Sequence, residues 1–406
     1  MPGTGDTTPG KAYIAPMTVP SDQVTVRFAR SMAEIDGPSW NALAASLDTP
    51  FFEYEWLSLL EDSGSAAPAK GWYPNHLLAT IGGRLVGALP MYLKWHSDGE
   101  FVFDQLWAEA AVRLGLPYYP RLVGATPFTP ATGLRFLTDP EANQARLSRR
   151  LFSAIEQFCQ GNGVQGAALL FTEPEFAAAA EDYGFTAWRH QGYLWRNRGF
   201  ADFEDFLATL NANRRKAVRR ERKALEESGV TVEIVSGSAI PDNFFPLMQK
   251  LYDRTNTKFG PWGCRYLTEE FFEGMAGAFR HRLAFAAAYR TRRRDPIALA
   301  MLAEKDDILF GRYWGAFEDV PFLHFELCYY APIAYAIAKG IKRYDPGMGG
   351  AHKARRGFVS VSSYSAHRFF DPRMDMIFRT HIDRVNQLEK NYIDELNELL
   401  PARRGG

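Results

Sequence analysis

The sequence predicts an α/β (α+β) protein of two similar halves, each with a central mixed sheet flanked by helices. One observation is an early hairpin, in which the strands His76–Ile81 and Arg84–Leu89 flank a Gly-Gly pair, a strong two-residue turn signal. A second observation is a later unit of two apolar strands, 283–289 and 297–302, which flank a polar turn. Similar order in the two halves indicates an internal duplication.

The remaining elements of the second half follow from periodicity. A third strand is predicted at 307–314, and a helix follows in which apolar residues from Phe325 to Ile337 recur at three- and four-residue steps. Pro332 predicts a kink or a late helix start, because proline lacks a backbone donor. Gly340 is placed to end the helix, and a short strand is expected from about residue 341.

The first half contains a comparable series of segments after its hairpin. The predicted segments are a strand-like stretch at 100–104, helices at 106–114, 148–160 and 176–183, a buried strand at 167–171, and one or two strands within 185–195.

Length and composition are those of a two-domain globular protein. The chain has 406 residues, of which 46% are hydrophobic and 23% charged, which excludes a wholly disordered chain and a coiled coil. We expect an N-terminal domain at 22–198 and a C-terminal domain at 199–401. A disordered leader is expected at 1–21, because this segment is rich in proline and glycine, and a frayed tail at 402–406.

Charge and cysteine content exclude several classes of protein. Lys+Arg and Asp+Glu are both 47, so any attraction to a polyanion must be local. Apolar stretches fall well short of the ~20 residues that cross a bilayer, and the start lacks the apolar core of a signal peptide, so we expect a cytoplasmic protein without membrane insertion. Three distant cysteines and the absence of CxxC and HExxH motifs give no support for a metal. Because two halves supply a cleft without a partner chain, a monomer is expected.

A basic helix is predicted at 211–225. Its segment 211–223 carries seven basic residues and one acid in an otherwise neutral protein. The helix is either a solvated face or a site for the phosphates of a substrate, cofactor or RNA, and Arg214, Arg219 and Arg220 are its candidate ligands. No aromatic residue lies among these charges, which argues against sequence-specific RNA contacts.

A second group of polar residues lies where the third strand of the second half meets its helix. Arg312 and Tyr313 end the strand, and His324 and Glu326 open the helix. Ligands bind at such strand ends in α/β sheets, and His324 or Glu326 could act as a general base. Alternatively, Glu326 is a first-turn acid favoured by the helix dipole, and His324 fills a half-buried position. We assign catalysis to Glu326, His324 and Tyr313, and substrate binding to Arg312, Trp314, Tyr329, His96 and Glu100.

A third group follows the short strand near residue 341. Glycines at 347, 349 and 350 precede a run of basic residues, and together they could form a phosphate cradle of backbone amides and cations. An ordinary flexible loop is the alternative. The candidate cofactor ligands here are Gly349, Gly350, His352, Lys353 and Arg356.

Motifs throughout the chain resemble the predicted N-acyltransferases labelled peptidoglycan biosynthesis or recognition proteins. The motifs are GRYWG (311–315), LHFELCYY (323–330), HKARRGF (352–358), GALPMYLK (87–94), HSDGEFVFD (96–104), YYPRLV (118–123) and PFTPATGLR (127–135). That family is similar to the Fem-type aminoacyltransferases, so the resemblance implies two tandem GNAT-like (Gcn5-related acyltransferase) domains. The chain departs from the family pattern at Gly349 and Ala351, where Gln and Glu are typical, and has a single glycine between Arg312 and Glu318.

The leading hypothesis is therefore N-acyl transfer from acyl-CoA to a small-molecule or peptide amine. In it, Glu326 or His324 takes the amine proton, and His352, Lys353 and Arg356 hold phosphate. One alternative is aminoacyl transfer from aminoacyl-tRNA, with RNA on the basic helix. Another is a non-catalytic protein that binds a cell-wall precursor or another acidic ligand.

Overall fold

The computed structural model describes residues 23–260, 263–291 and 294–401. The predicted leader at 1–21 and the predicted tail at 402–406 lie outside these residues.

Fifteen strands and twelve helices are formed by the described residues. The strands are β1 (Val24–Ala29), β2 (Tyr73–Pro74), β3 (His76–Ile81), β4 (Arg84–Leu89), β5 (Met91–Lys94), β6 (Arg121–Gly124), β7 (Leu137–Thr138), β8 (Gly166–Thr172), β9 (Thr186–Arg196), β10 (Val230–Ser236), β11 (Leu283–Arg290), β12 (Ala298–Lys305), β13 (Ile308–Ala316), β14 (Arg343–Asp345) and β15 (Val359–Phe369). The helices are α1 (Gly37–Ala44), α2 (Tyr54–Asp62), α3 (Gln105–Arg113), α4 (Gln144–Gly161), α5 (Pro174–Glu181), α6 (Phe203–Ala208), α7 (Ala212–Glu227), α8 (Phe244–Thr257), α9 (Glu269–Ala278), α10 (Leu323–Phe325), α11 (Ala331–Lys339) and α12 (Pro372–Glu398).

One large mixed sheet runs through both halves. Among the described residues it has eleven strands in the order β10-β11-β12-β13-β14-β9-β15-β8-β6-β5-β2, and a smaller sheet has the order β1-β3-β4-β7. The mixed α+β class with flanking helices is as predicted. The difference is that the halves share a sheet, because β14 pairs antiparallel with β9 across their junction.

The last strand of the chain belongs to the sheet of the first half. β15 lies between β8 and β9 and pairs antiparallel with both, and α12 packs against β9 and β15. A strand in this position satisfies the backbone groups of two neighbours that would otherwise form open edges. The division of the chain at 198/199 stays a prediction, since residues 359–398 lie against the first half.

A shared aromatic core and a buried ion cluster fix the two halves to each other. The ring centroids of Trp56 and Phe279 are 4.9 Å apart across the junction. Buried Glu53 of the first half accepts two hydrogen bonds from Arg282, at 2.7 and 3.0 Å, and lies 3.1 Å from the Lys305 ammonium. These buried contacts join the two halves of the chain.

Two local predictions need correction. Residues 100–104 form no strand, because Phe101 adopts a left-handed backbone conformation (φ 58°) that interrupts extended structure. The helix predicted at 148–160 begins earlier, at Gln144, where the Asn143 side chain caps it by accepting from the Arg146 amide.

Candidate functional site

A cleft opens where two parallel strands of the second half separate. β13 and β14 pair only over Ile308–Phe310 and Arg343–Asp345. Beyond that point β13 carries a bulge, in which Arg312 and Tyr313 lie opposite the single residue Met301 of β12. Bulges of this kind redirect side chains and are common beside active sites.

The cleft comprises two connected cavities of about 680 and 360 Å³. Both are lined by residues 311–314 of β13 and by Gly347 and Met348, which follow β14. Their size is in the range of small-molecule sites. The predicted residues Arg312, Tyr313 and Trp314 therefore do line one cleft.

Three side chains of the helical segment after β13 and of the loop after β14 meet on one side of the larger cavity. The ring centroids of His324 and Trp314 are 4.4 Å apart, and His352 Nε2 lies 3.0 Å from the Tyr329 hydroxyl. Burial, together with the nearby basic groups of His352, Lys353 and Arg356, lowers the pKa of His324 to about 4, so this imidazole is neutral at pH 7. A single π-helical turn, Glu326–Tyr330, separates α10 from α11 and sets these side chains.

Glu326 lies outside this cleft. Both of its carboxylate oxygens accept hydrogen bonds from Arg222 of α7, at 2.9 and 3.0 Å. Burial raises the pKa of Glu326, and Arg222 opposes that rise. Its carboxylate is engaged with the basic helix, so the position of Glu326 does not favour the role of base, which stays a prediction.

The glycine-rich loop is held from within by Lys353. The Lys353 ammonium donates hydrogen bonds to the carbonyls of Gly347 and Met348, both at 2.8 Å, and burial lowers its pKa to about 8. Gly350 has φ 82°, and a Cβ atom there would overlap the His352 ring. Lys353 thus shapes the loop, which differs from the predicted role of presenting a free ammonium to phosphate.

Asp345 is the acidic residue that the sequence interpretation missed. It ends β14, accepts a hydrogen bond from the Gly347 amide at 2.8 Å, and lines a neighbouring cavity that shares Gly347 and Met348 with the cleft. Burial raises its pKa, against the opposing effects of the Gly347 amide, Lys353 and Arg312. An acid placed between a short strand and a glycine-rich loop is the sequence signal that points to it.

Arg312 joins the two halves at the mouth of the cleft. Its Nη2 donates a hydrogen bond to the Phe128 carbonyl at 2.9 Å, and its guanidinium lies over the Phe51 ring. Its buried Nε has no hydrogen-bond partner within the described residues. Phe128 has φ 58°, a strained conformation of the kind that recurs at ligand sites. The Nε–H group of Arg312 is therefore suited to donate a hydrogen bond to a carbonyl oxygen of a ligand.

The basic residues predicted to bind phosphate are distributed over three places. Arg356 is buried, with its guanidinium 3.4 Å from the Phe325 ring centroid and hydrogen bonds to Tyr330 and the His352 carbonyl. Arg214 lines a separate groove of about 1090 Å³ at the start of α7. Arg219 pairs with Glu204 on the surface, and Arg220 is exposed. These four arginines do not form one phosphate site.

His96 and Glu100 of the first half also lie away from the cleft. Glu100 is buried 3.7 Å from the Lys94 ammonium, and burial raises its pKa to about 7. His96 Nδ1 accepts a hydrogen bond from the Asp98 amide at 3.2 Å in a half-exposed turn. The prediction that they contact substrate is therefore not supported by their positions.

Two further properties of the described part of the chain concern metal binding and membrane insertion. No group of three or more His, Cys, Asp or Glu residues there is arranged to hold a metal ion. Among the same residues, no helix has both the length and the apolar character needed to cross a bilayer.

The family model named FemAB-like, described as peptidoglycan biosynthesis/recognition, matches residues 31–404. The chain belongs to the FemAB-like family. This confirms the resemblance drawn from the motifs. No curated protein gives a significant match to the sequence.

Several solved structures are similar to this FemAB-like chain. FemX has a TM-score of 0.51 and 11% identity, and the match covers 84% of this chain and 98% of FemX. The C-terminal domain of a putative lysylphosphatidylglycerol synthetase from Agrobacterium fabrum has a TM-score of 0.51 and 12% identity, over 86% of this chain and 97% of that domain. A tandem GNAT protein from the clavulanic acid biosynthesis pathway has a TM-score of 0.44 and 11% identity, over 86% and 99%. FemX and the Agrobacterium domain confirm the predicted fold class.

Proposed function

We propose that the protein transfers an acyl group from an activated ester or thioester to a primary amine in the cleft between β13 and β14. The observation that carries the proposal is the separation of these strands beside a half-buried carboxyl, Asp345, and a neutral imidazole, His324. Membership in the FemAB-like family supports acyl transfer. The family's description also supports an acceptor of the kind found in peptidoglycan precursors.

Asp345 replaces Glu326 as the proposed base. The acceptor arrives as an ammonium and gives one proton to the Asp345 carboxylate, and the raised pKa of this carboxyl makes it a better proton acceptor than an exposed aspartate. The amine lone pair then forms a C–N bond to the acyl carbon, and the carbonyl electrons move onto oxygen. Arg312 and nearby backbone amides would stabilise that oxyanion.

The carrier leaves in the second step. The nitrogen of the tetrahedral intermediate gives its second proton to the neutral His352 imidazole, the C–S or C–O bond to the carrier breaks as the carbonyl re-forms, and the carrier takes a proton from Tyr329 and departs as a thiol or hydroxyl. Burial raises the pKa of Tyr329, so its phenol remains protonated, and the neighbouring His352 can return a proton to it. Tyr329 is therefore the proposed acid.

Acyl transfer by Asp345→Asn tests the assignment of the base. We expect turnover to fall at least ~100-fold with the fold intact, the usual low end for loss of a general base. Asp383→Asn, at an exposed carboxyl on α12, is the matched control and should have wild-type activity. Unchanged turnover in Asp345→Asn would remove Asp345 from the mechanism.

Acyl-CoA remains the first donor to test, but one feature of the fold favours aminoacyl-tRNA as a second candidate. The turn between β13 and α10 carries the acids Glu318 and Asp319 and lacks glycine, which is unfavourable for a pyrophosphate. The groove beside α7 instead presents Arg214, Arg215 and Arg355. This groove is suited to a phosphate backbone.

Thermal unfolding separates the two donors. Ligand at ~100 times its dissociation constant adds ~2.7 kcal/mol and should raise the midpoint by several degrees. An acyl-CoA donor predicts a rise with acetyl-CoA. If tRNA is the donor, its binding should weaken as the salt concentration rises. The slope of the logarithm of the binding constant against the logarithm of salt concentration should fall in magnitude by about one in Arg214→Gln and in Arg215→Gln. If no amine is acylated from either donor, the hypothesis of a non-catalytic binding protein is favoured.

A further inference from the structure

A further cavity, of about 380 Å³, is separate from the two cavities of the cleft and is named the second cavity. It lies between the two halves, on the other side of β14 from the His324 cluster. Arg343 and Asp345 of β14 line it, whereas Tyr344, between them, lines the larger cavity of the cleft. Alternate residues of a strand point to opposite faces of the sheet, so β14 separates the two spaces. They meet at Gly347 and Met348, where the strands have parted.

The cleft and the second cavity therefore lead from opposite faces of the sheet to the same opening at Gly347 and Met348. An acyl donor in the cleft places its carbonyl at the opening from one face of the sheet. An acceptor in the second cavity reaches the same opening from the other face, past Asp345. Both reactants are then bound side by side without competing for one space, as proximity catalysis requires.

The charges of the second cavity are arranged along β14. Arg343 and Arg196 are direct cross-strand partners in the β14–β9 ladder. Like charges at such positions repel, so the pair favours an anion beside it. Arg343 pairs with Asp48, whereas Arg196 has no ion pair among the described residues. Asp345 lies two residues beyond Arg343, about 7 Å along the strand.

The rest of the wall combines hydroxyl groups with apolar side chains, among them Phe310 and Val361. Thr132 and Ser363 contribute hydroxyls 3.2 Å apart, and Glu173, the cavity's remaining carboxyl, is paired with Arg135 at 3.2 Å. The cavity thus has a carboxylate at one position along β14 and two arginines at another, with hydroxyl groups nearby. This arrangement suits a compact ligand that carries one positive and one negative charge.

We propose that this cavity is the acceptor site and that it takes a free amino acid or dipeptide, with the amine at Asp345 and the carboxylate at Arg196 and Arg343. The assignment rests on the acyl transfer proposed above. It adds a requirement that the reaction alone does not impose, which is a free carboxylate on the acceptor.

Equilibrium binding without any donor tests this assignment separately from catalysis. The probes are glycine, L-alanine, L-lysine and glycylglycine, the methyl esters of these four, and 1,4-diaminobutane, each titrated by calorimetry. We expect at least one free acid to bind at least ~10-fold more tightly than its ester, the usual effect of losing a hydrogen bond to a charged group. Arg196→Gln should abolish this preference, and Arg198→Gln, an exposed arginine outside the cavity, should retain it.

The outcomes distinguish the site from the reaction. Equal binding of acids and esters, no binding by any probe, or an unchanged preference in Arg196→Gln would overturn the acceptor site. Binding of a free acid that depends on Arg196, with no acyl transfer from either donor class, would retain the site and reject the reaction. Transfer to esters or diamine with unchanged KM in Arg196→Gln would retain the reaction and reject the site.

Discussion

Glu326→Gln is expected to weaken the fold and to leave the chemistry intact. The Glu326 side chain is 7% exposed and its partner Arg222 is 35% exposed, so the substitution breaks a largely buried pair with two hydrogen bonds. Removing one partner of a fully buried pair costs 3–5 kcal/mol. Arg222 still reaches water and lies over the Phe203 ring, so we expect a loss of about 2 kcal/mol.

Urea unfolding measures this loss as a lower midpoint at an unchanged slope. Glu226→Gln, at an exposed acid on α7, is the control and should change stability by less than ~0.5 kcal/mol. A double-mutant cycle with Arg222→Gln should return a coupling energy of about 1–2 kcal/mol. A ~100-fold loss of turnover at unchanged stability would refute the reasoning and restore Glu326 as the base.

Two further substitutions test the loop and the first half. Gly350→Ala and Gly349→Ala share the strain of a positive φ, 82° and 74°, about 1 kcal/mol each, but only the former overlaps His352. Steady-state kinetics should therefore show the larger loss of kcat in Gly350→Ala, and equal losses would count against a role for His352. Glu100 has its pKa raised from 4.5 to about 7, so the folded protein binds the extra proton and loses up to about 3 kcal/mol of stability as pH rises through that window. Denaturant unfolding at pH 5 and pH 7 should find about 2 kcal/mol of this loss in wild type and in the exposed-site control Glu109→Gln. If Glu100→Gln retains the loss, the assignment to Glu100 is wrong.

Elements with strong local signals were predictable from the sequence. The hairpin strands were placed at the bounds that the structure has, His76–Ile81 and Arg84–Leu89, because two glycines fix the turn. Pro332 predicted a kink or a late start, and the structure has a π-helical turn, Glu326–Tyr330, directly before α11 begins at Ala331. Helix and strand periodicity is local information, and it was sufficient for these elements.

Long-range pairing was not predictable in the same way. β15 joins strands that lie more than 160 residues earlier in the chain, and nothing in its own sequence selects those partners. Arg222 and Glu326 are 104 residues apart, so their ion pair, and the removal of Glu326 from the cleft, follow only from the fold. The glycine-rich loop was recognised, but its internal tether by Lys353 depends on a side-chain direction that the sequence does not specify.

The most direct test of the account is a single-turnover measurement. Enzyme in excess over a donor labelled in its acyl group, either acyl-CoA or aminoacyl-tRNA, is mixed with free amino acids and dipeptides, and the products are followed by mass spectrometry. The account predicts that the label moves from one donor onto an acceptor amine as an amide, and that Asp345→Asn slows this transfer. Label that remains on both donors, or is released only to water, would contradict acyl transfer in this cleft.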